Sequence, residues 1–384
     1  MRRELGDRRP GWEALVESQG LGFHRSVAPG YDGRPYWDEA AHYVFTMAEV
    51  LDLEAAVEEL HDMCLKAVDW VIKRKRYADF GIPEWCWEPI RASWKRHDPH
   101  LYGRFDLCYD GAGHAKLLEY NADTPTSLVE ASVIQWFWLQ DVHPDSDQWN
   151  SIHEKLAARW QKLAAPGGTA HFAWTATDES GEDALNVAYL QDTAQAAGLR
   201  TTAISMEDIG WDTGREQFVD LENRPIGSLF KLYPWEWMIS DPFGQSAVER
   251  QANGSWMEPL WKMLLSNKAL LAVLWEMYPD HPNLLPAYLD GPRELSAYVR
   301  KPLLGREGAS MRIVTPGQTQ DTPGEYGAEG YVYQEFWPLP DFDGWHPVLG
   351  AWVVGDEAAG VGIRETRGLI TDNTSSFVPH RIDT

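Results

Sequence analysis

The sequence predicts an α+β protein of several lobes. Three features carry that expectation: a long amphipathic helix over residues 44–76, one β–α–β unit between Ala170 and Met206, and a run of closely spaced strands from Tyr298 onward. At 384 residues the chain exceeds the usual single core, so two domains or one composite of three lobes is expected.

In the helix, Leu53, Val57, Leu60, Cys64, Val68 and Val71 recur at spacings of three and four. The basic run Lys73–Arg76 suits its C-terminus, where positive charge complements the dipole. A Trp- and Pro-rich connection from Pro83 to Pro89 leads to two candidate strands, Tyr102–Cys108 and Ala115–Tyr120, and a further helix is expected near Thr126. The β–α–β unit follows, and Ser228–Tyr233 is expected to join its sheet. Helices are placed between about Ser246 and Met277. The strands from Tyr298, joined mostly by short turns, should be antiparallel. Pro316–Gly327, rich in Gly, Thr, Gln and Asp, is the one stretch expected to be mobile.

Composition narrows the function. The formal charge is −24, from 34 Lys and Arg against 58 Asp and Glu, which would repel a phosphate backbone and disfavours nucleic acid as partner. Amines, polyamines among them, are better matched to such a field. No apolar run approaches a membrane span, and the polar start Met1–Glu4 lacks a secretory core, so a cytoplasmic location is expected. Cys64, Cys86 and Cys108 have no CxxC spacing, and the reading is of buried apolar residues. The twenty tryptophans are assigned to core and cleft walls. Neither HExxH nor GxSxG occurs, which disfavours a zinc hydrolase or a serine esterase. His97, His100, His281 and His380 are read as ordinary histidines.

Three constellations could carry chemistry. Alternation puts Arg104 and Asp106 on one face of the first candidate strand, and Glu119 and Asn121 on one face of the second. Paired as a hairpin, these would gather oxygen donors suited to Mg²⁺, although a salt-bridge ladder explains the spacing equally well. The second is Lys301 to Ser310, where Gly305 and Gly308 would let backbone amides approach an anion flanked by Lys301 and Arg306. It is not a Walker A loop. The third is Gly360 to Glu365, whose Arg364 could meet a transferring phosphoryl group or pair with Glu365 or Asp372, with Asn373 and Ser375 downstream. Lys231 and Lys268 are ambiguous alone.

The blocks LYGRFD (101–106), LEYNADTP (118–125), RKPLLGREGA (300–309) and WVVGDEAAGVGIRE (352–365) together resemble the signature of the glutathionylspermidine synthase family. The resemblance runs from about residue 12 onward, in the manner of the shorter branch that lacks an amidase domain. It implies an ATP-grasp fold with an antiparallel nucleotide-binding lobe and a preceding β–α–β-containing lobe. The implied divisions are a helical region with the hairpin (1–165), the β–α–β lobe (166–245) and the antiparallel lobe with its phosphate lid (246–384). It implies an ADP-forming ligase using ATP and Mg²⁺ to join a small carboxylate to an amine through an acyl phosphate. By motif, Asp106, Glu119 and Asn121 become metal ligands, and Lys268 and Lys301, with Gly305 and Gly308, hold the nucleotide phosphates. Gln334 and Glu335 line the adenine pocket. Arg306 and Arg364 stabilise the transferring phosphoryl group, and Arg104 sits at the acyl acceptor. One departure concerns Thr124-Pro125-Thr126, where glutathione-using members carry small serine-type residues. Thr124 and Thr126 are expected to touch the acid, and Pro125 removes a backbone donor beside it. The alternative is a nucleotide-binding regulatory protein that keeps the fold without turnover.

Overall fold

The computed structural model describes residues 1–25, 33–163, 168–178, 180–250 and 255–383. The long helix spans Met47–Arg74. It starts at a capping box: the Thr46 hydroxyl accepts the Glu49 N–H, and the Glu49 carboxylate accepts the Thr46 N–H at 2.7 Å. Lys75, left-handed at φ 57°, ends it. All six residues of the predicted stripe are buried.

That stripe packs against a five-stranded antiparallel sheet ordered Ser376–Val378, Glu357–Thr366, His346–Val354, Tyr102–Cys108, Lys116–Asn121. The expected hairpin is therefore real, and its neighbours come from the far end of the chain. Alternation, reset in the second strand by a bulge at Leu118, decides what each face carries. Phe105, Leu107, Leu117 and Tyr120 share the core with the helix, and Phe105 stacks on Tyr120 at 3.9 Å. Their sequence neighbours Arg104, Asp106, Glu119 and Asn121 point the other way, into a cleft.

A second antiparallel sheet orders Ala287–Tyr288, Tyr331–Glu335, Tyr298–Pro302, Arg312–Thr315 and Gln318–Asp321. The strands expected from Tyr298 onward thus divide between two sheets. The connection at 336–345 carries Pro338 and Pro340, which donate nothing to a ladder and so release the chain from one sheet to the next. Within Pro316–Gly327, Gln318–Asp321 is a strand paired with Arg312–Thr315.

The β–α–β unit is Thr169–Trp174, the helix Glu182–Ala196, and Arg200–Ser205. Ser228–Leu232 and Ser255–Met257 complete a four-stranded sheet that is parallel throughout. A three-stranded sheet joins Arg2–Leu5, Ala41–Phe45 and His380–Ile382, and a small ribbon pairs Gly210–Asp212 with Gln217–Val219. Among the described residues no helix is long and apolar enough to cross a membrane. The three cysteines are buried, and so are Trp37, Trp138, Trp160, Trp235, Trp261 and Trp352.

A buried ion pair ties the parallel sheet to the central one. Glu258, just beyond the last parallel strand, accepts the N–H groups of Leu101 (2.9 Å) and Tyr102 (3.0 Å). Lys262 meets Glu258 at 2.7 Å and donates to the Tyr102 carbonyl; both side chains are fully enclosed. Removing one partner strands a charge, so Lys262→Met should lower stability by about 3–5 kcal/mol. Urea unfolding of the two proteins measures this; a loss under about 1 kcal/mol would show that Glu258 is satisfied by its backbone donors alone.

Candidate active site

The site is built on the hairpin register. Arg104 lies opposite Asn121 and Asp106 opposite Glu119; on the other flank Asp106 meets Gly350, which faces Gly362. Absence of side chains at the two glycines opens the sheet face. A Cβ at Gly350 would sit 2.9 Å from Cδ of Arg104, and one at Gly362 only 2.4 Å from the Phe377 ring. Arg104 therefore lies flat across the sheet. Its guanidinium clamps Asp106 at 2.7 and 3.1 Å and donates to the Thr126 carbonyl at 2.7 Å.

The opposite wall is the Gly-rich loop between Tyr298–Pro302 and Arg312–Thr315. Gly308 (φ +69°) is required twice, by its left-handed backbone and because a Cβ would press on Ile370 at 2.6 Å. Asn373 donates to Glu307 at 2.5 Å, fastening this loop to the segment after the last long strand. Lys268 reaches Glu119 at 3.1 Å and the Gly305 carbonyl at 2.6 Å. Arg306 pairs with Glu236 at 3.0 Å, donates to the Thr124 hydroxyl at 3.2 Å, and lies over Trp237. Arg364 donates to the Asp372 carbonyl, whereas its neighbour Glu365 is taken by Arg3, Arg34 and Tyr43. The Nε–H groups of Arg306 and Arg364 are buried without a hydrogen-bond partner.

These residues enclose a cleft of about 740 Å³. Of the residues given a site role by the family resemblance, all line it except Lys301, Gln334 and Glu335; Lys231 and Ser375 lie outside it as well. Lys301 is buried and donates to the Leu118 carbonyl (2.8 Å) and to Oε1 of Gln334 (2.7 Å). Gln334 in turn donates to the Leu117 carbonyl at 2.9 Å. Glu335, one residue on, lines a second cavity with Trp275, Pro286, Tyr288 and Phe336.

The charges are unequally balanced. Burial raises both hairpin carboxyls, but the charges of Lys268 and Lys301 outweigh it at Glu119 and hold that group at about 2. Asp106 stays above its ordinary value, because burial and the Glu119 charge together exceed the pull of Arg104. Burial brings the Lys301 ammonium down to about 8, Glu119 opposing and Lys268 adding to the fall. The carboxylates of Asp106 and Glu119 and the side chain of Asn121, whose NH2 group donates to Glu119 at 3.0 Å, form one polar set on this face. Two carboxylates and an amide oxygen are ligand types that fit Mg²⁺.

Sequence reasoning missed an acidic wall. Glu182 and Asp183 open the helix Glu182–Ala196 and line the cleft, as does Glu236. Burial first, then Asp178 and Glu182, raise the Asp183 carboxyl to about 7. Acidic residues in a first helical turn are commonplace, so nothing local marks these two as site residues. It also missed the partner of Lys231, which donates to Asp123 at 2.7 Å inside the core, while Asp123 accepts the Trp235 N–H at 2.8 Å. This pair anchors the corner between Asn121 and Thr124.

Known proteins match along the chain. The family model described as glutathionylspermidine synthase preATP-grasp covers residues 3–383. A Haemophilus influenzae protein named as a candidate acid–amine ligase is 44% identical over 94% of both chains. Trypanothione synthetase of Crithidia fasciculata is 32% identical over 84% of this chain, and the bifunctional glutathionylspermidine synthetase/amidase of Escherichia coli is 27% identical over 89%. The chain spans 54% and 59% of those two longer relatives. A glutathione synthetase-like effector of Globodera pallida superposes with a TM-score of 0.59 over 98% of each chain at 10% identity, which shows a shared fold. With ligases and synthetases among its relatives and a family match over nearly its whole length, this chain belongs to the glutathionylspermidine synthase family.

Proposed function

We propose that the protein is an ATP- and Mg²⁺-dependent carboxylate–amine ligase on an ATP-grasp scaffold. The observation that carries this reading is the meeting, in one cleft, of three oxygen donors with Lys268 and two arginines whose Nε–H groups lack partners. In this reading the substrate carboxylate takes the γ-phosphoryl group of ATP, ADP leaves, and the amine displaces phosphate from the acyl phosphate. Such chemistry needs positioning and charge neutralisation above all.

Asp106, Glu119 and Asn121 would hold Mg²⁺, which when bound neutralises phosphate charge. Lys268 and the Gly305–Gly308 loop would hold the phosphates, with Lys301 supporting them from beside the edge strand of the hairpin. Arg306 and Arg364 would turn their unpaired Nε–H groups to the transferring phosphoryl oxygens. Arg104, already bound to Asp106 and Thr126, would orient the acid. The second cavity, where the Trp275, Tyr288 and Phe336 rings stand beside Glu335, would take the base, with Gln334 fixing the adjoining strand. Glu182 and Asp183 would face the cationic amine, a role matched to polyamine products such as those named for the relatives. A cytoplasmic location goes with this reading, ATP and free amines being available there.

Asp106→Asn and Glu119→Gln should each lower Mg²⁺-dependent ADP release by at least about a hundredfold while sparing metal-free nucleotide binding, because a first ligand to the ion is lost. Calorimetry and a coupled ADP assay measure the two; near-normal turnover in both would return the hairpin to an ion-pair ladder.

Asp183 is neutral below its pKa of about 7 and charged above it. The amine stays protonated throughout, so its KM should fall several-fold between about pH 6 and 8, and Asp183→Asn should flatten the change. An identical pH profile in the variant would remove Asp183 from the amine site.

Glutathione should be a poor acid. The Thr124 hydroxyl is engaged by Arg306, the Pro125 carbonyl by Tyr102 and the Thr126 carbonyl by Arg104, leaving few free groups in this loop for a tripeptide. Each buried group left unpaired costs about 1–3 kcal/mol. ADP release with glutathione and spermidine should fall at least about tenfold below that with the best alternative acid in a substrate panel. Efficient glutathionylspermidine formation, read by product mass, would contradict this.

A further inference from the structure

Behind the hairpin, on the face away from the cleft, three ligand-type side chains converge from remote parts of the chain. His61 comes from the middle of the long helix, His100 from the segment entering the Tyr102–Cys108 strand, and Asp356 from the turn between His346–Val354 and Glu357–Thr366. Nε2 of His61 and Nε2 of His100 each lie 3.2 Å from the same oxygen, Oδ1 of Asp356, and the three atoms lie within 4.8 Å of one another. Ligand atoms about 2.0–2.1 Å from a shared tetrahedral ion are about 3.3 Å apart, so both imidazole–carboxylate edges already have the length a metal would impose.

The surroundings favour ligation over a plain hydrogen-bond triad. Burial holds both rings neutral, that of His100 down to about 3, so their nitrogens keep lone pairs to give. The far nitrogen of His61 lies 3.1 Å from the Tyr120 hydroxyl, an outer-shell partner that would fix its tautomer with Nε2 free for the ion. Nδ1 of His100 is buried with no partner, so that ring is positioned through its Nε2 side and its backbone. The backbone is firmly held: Arg159 donates twice to the His100 carbonyl, at 2.9 and 2.7 Å, and the Gly355 N–H donates to Leu101 at 2.7 Å. The Asp356 side chain is 63% exposed, leaving a path for an ion and room for water in the remaining position. The nearby Lys262 charge opposes a cation, but it is already taken up by Glu258.

We propose that His61, His100 and Asp356 form a site for a first-row transition metal of the zinc type, separate from the carboxylate–amide set in the cleft. Two imidazoles and one carboxylate suit zinc better than magnesium. The ion would pin the long helix, the strand entry and the C-terminal turn together. It would also steady Tyr120, whose sequence neighbours Glu119 and Asn121 face the cleft.

The test is calorimetric titration of the full chain with Zn²⁺ alone as probe, in saturating Mg²⁺ so that the cleft donors are engaged. One equivalent should bind, and Asp356→Asn and His100→Gln should each weaken it by at least about tenfold, since even outer-shell partners are worth 10–100-fold. Asp356 is on an exposed turn, so its variant should keep the wild-type circular dichroism spectrum and Mg²⁺-dependent ADP release. Glu119→Gln should leave zinc affinity unchanged. Zn²⁺ should raise the unfolding temperature of the wild type and not of Asp356→Asn. No saturable binding, or equal affinity in wild type and both triad variants, would overturn the assignment; loss of zinc binding in Glu119→Gln alone would place the ion in the cleft and overturn it too.

Discussion

Arg104 is bound in two directions at once, to Asp106 along its own strand and to the Thr126 carbonyl across the corner of the hairpin. That clamp requires an open sheet beside it, which Gly350 supplies, and a rigid strand beneath it, which Phe105 and Tyr120 supply by stacking on the far face. Strand alternation thus forces one short segment to serve core and cleft together. A charge cluster exposed to water would be mobile and weakly coupled; here the low dielectric makes each ion pair count and each imbalance costly. Enclosure elevates Asp106 and lowers Lys301, and Glu119 is depressed against it by the charges of Lys268 and Lys301.

The remaining architecture keeps this cluster in place. Two ion pairs fasten the ends of the hairpin strands to the parallel sheet: Glu258 and Lys262 where the first strand begins, Asp123 and Lys231 where the second ends. The Gly-rich loop reaches the same cleft from a different sheet and is fixed to it through Asn373 and the contact of Gly308 with Ile370. Cations from residues 268, 306 and 364 can therefore face donors on the hairpin at 106, 119 and 121, although none of the cations is near that hairpin in sequence. The site is a product of sheet topology, in which the hairpin pairs with a strand more than two hundred residues downstream.

This explains what sequence could and could not reveal. Period-two alternation was enough to place Arg104 with Asp106 and Glu119 with Asn121, because a hairpin is a local object. The long helix was equally plain, its stripe being unbroken from Leu53 to Val71. Convergence of Lys268, Arg306 and Arg364 on that hairpin came only through family resemblance, since no periodicity links separate sheets. Lys301 and Gln334, expected at the phosphates and the base, bond each other beside the edge strand of the hairpin, at the carbonyls of Leu117 and Leu118. The helix Ile152–Leu163 was overlooked although Ile152, Leu156 and Trp160, spaced by four and all buried, announce it. Glu182, Asp183 and the partner of Lys231 gave no local signal, for their meaning lies in what they face.

Attack of a substrate carboxylate oxygen on the γ-phosphorus of ATP, as proposed for this cleft, would leave an isotopic trace in the phosphate released. An acid substrate labelled with ¹⁸O in its carboxylate, turned over with ATP, Mg²⁺ and an amine, should deliver one labelled oxygen to each phosphate released, because the attacking oxygen stays on phosphorus when the amine displaces it. Amide formation with unlabelled phosphate, or with the label in AMP, would contradict the account.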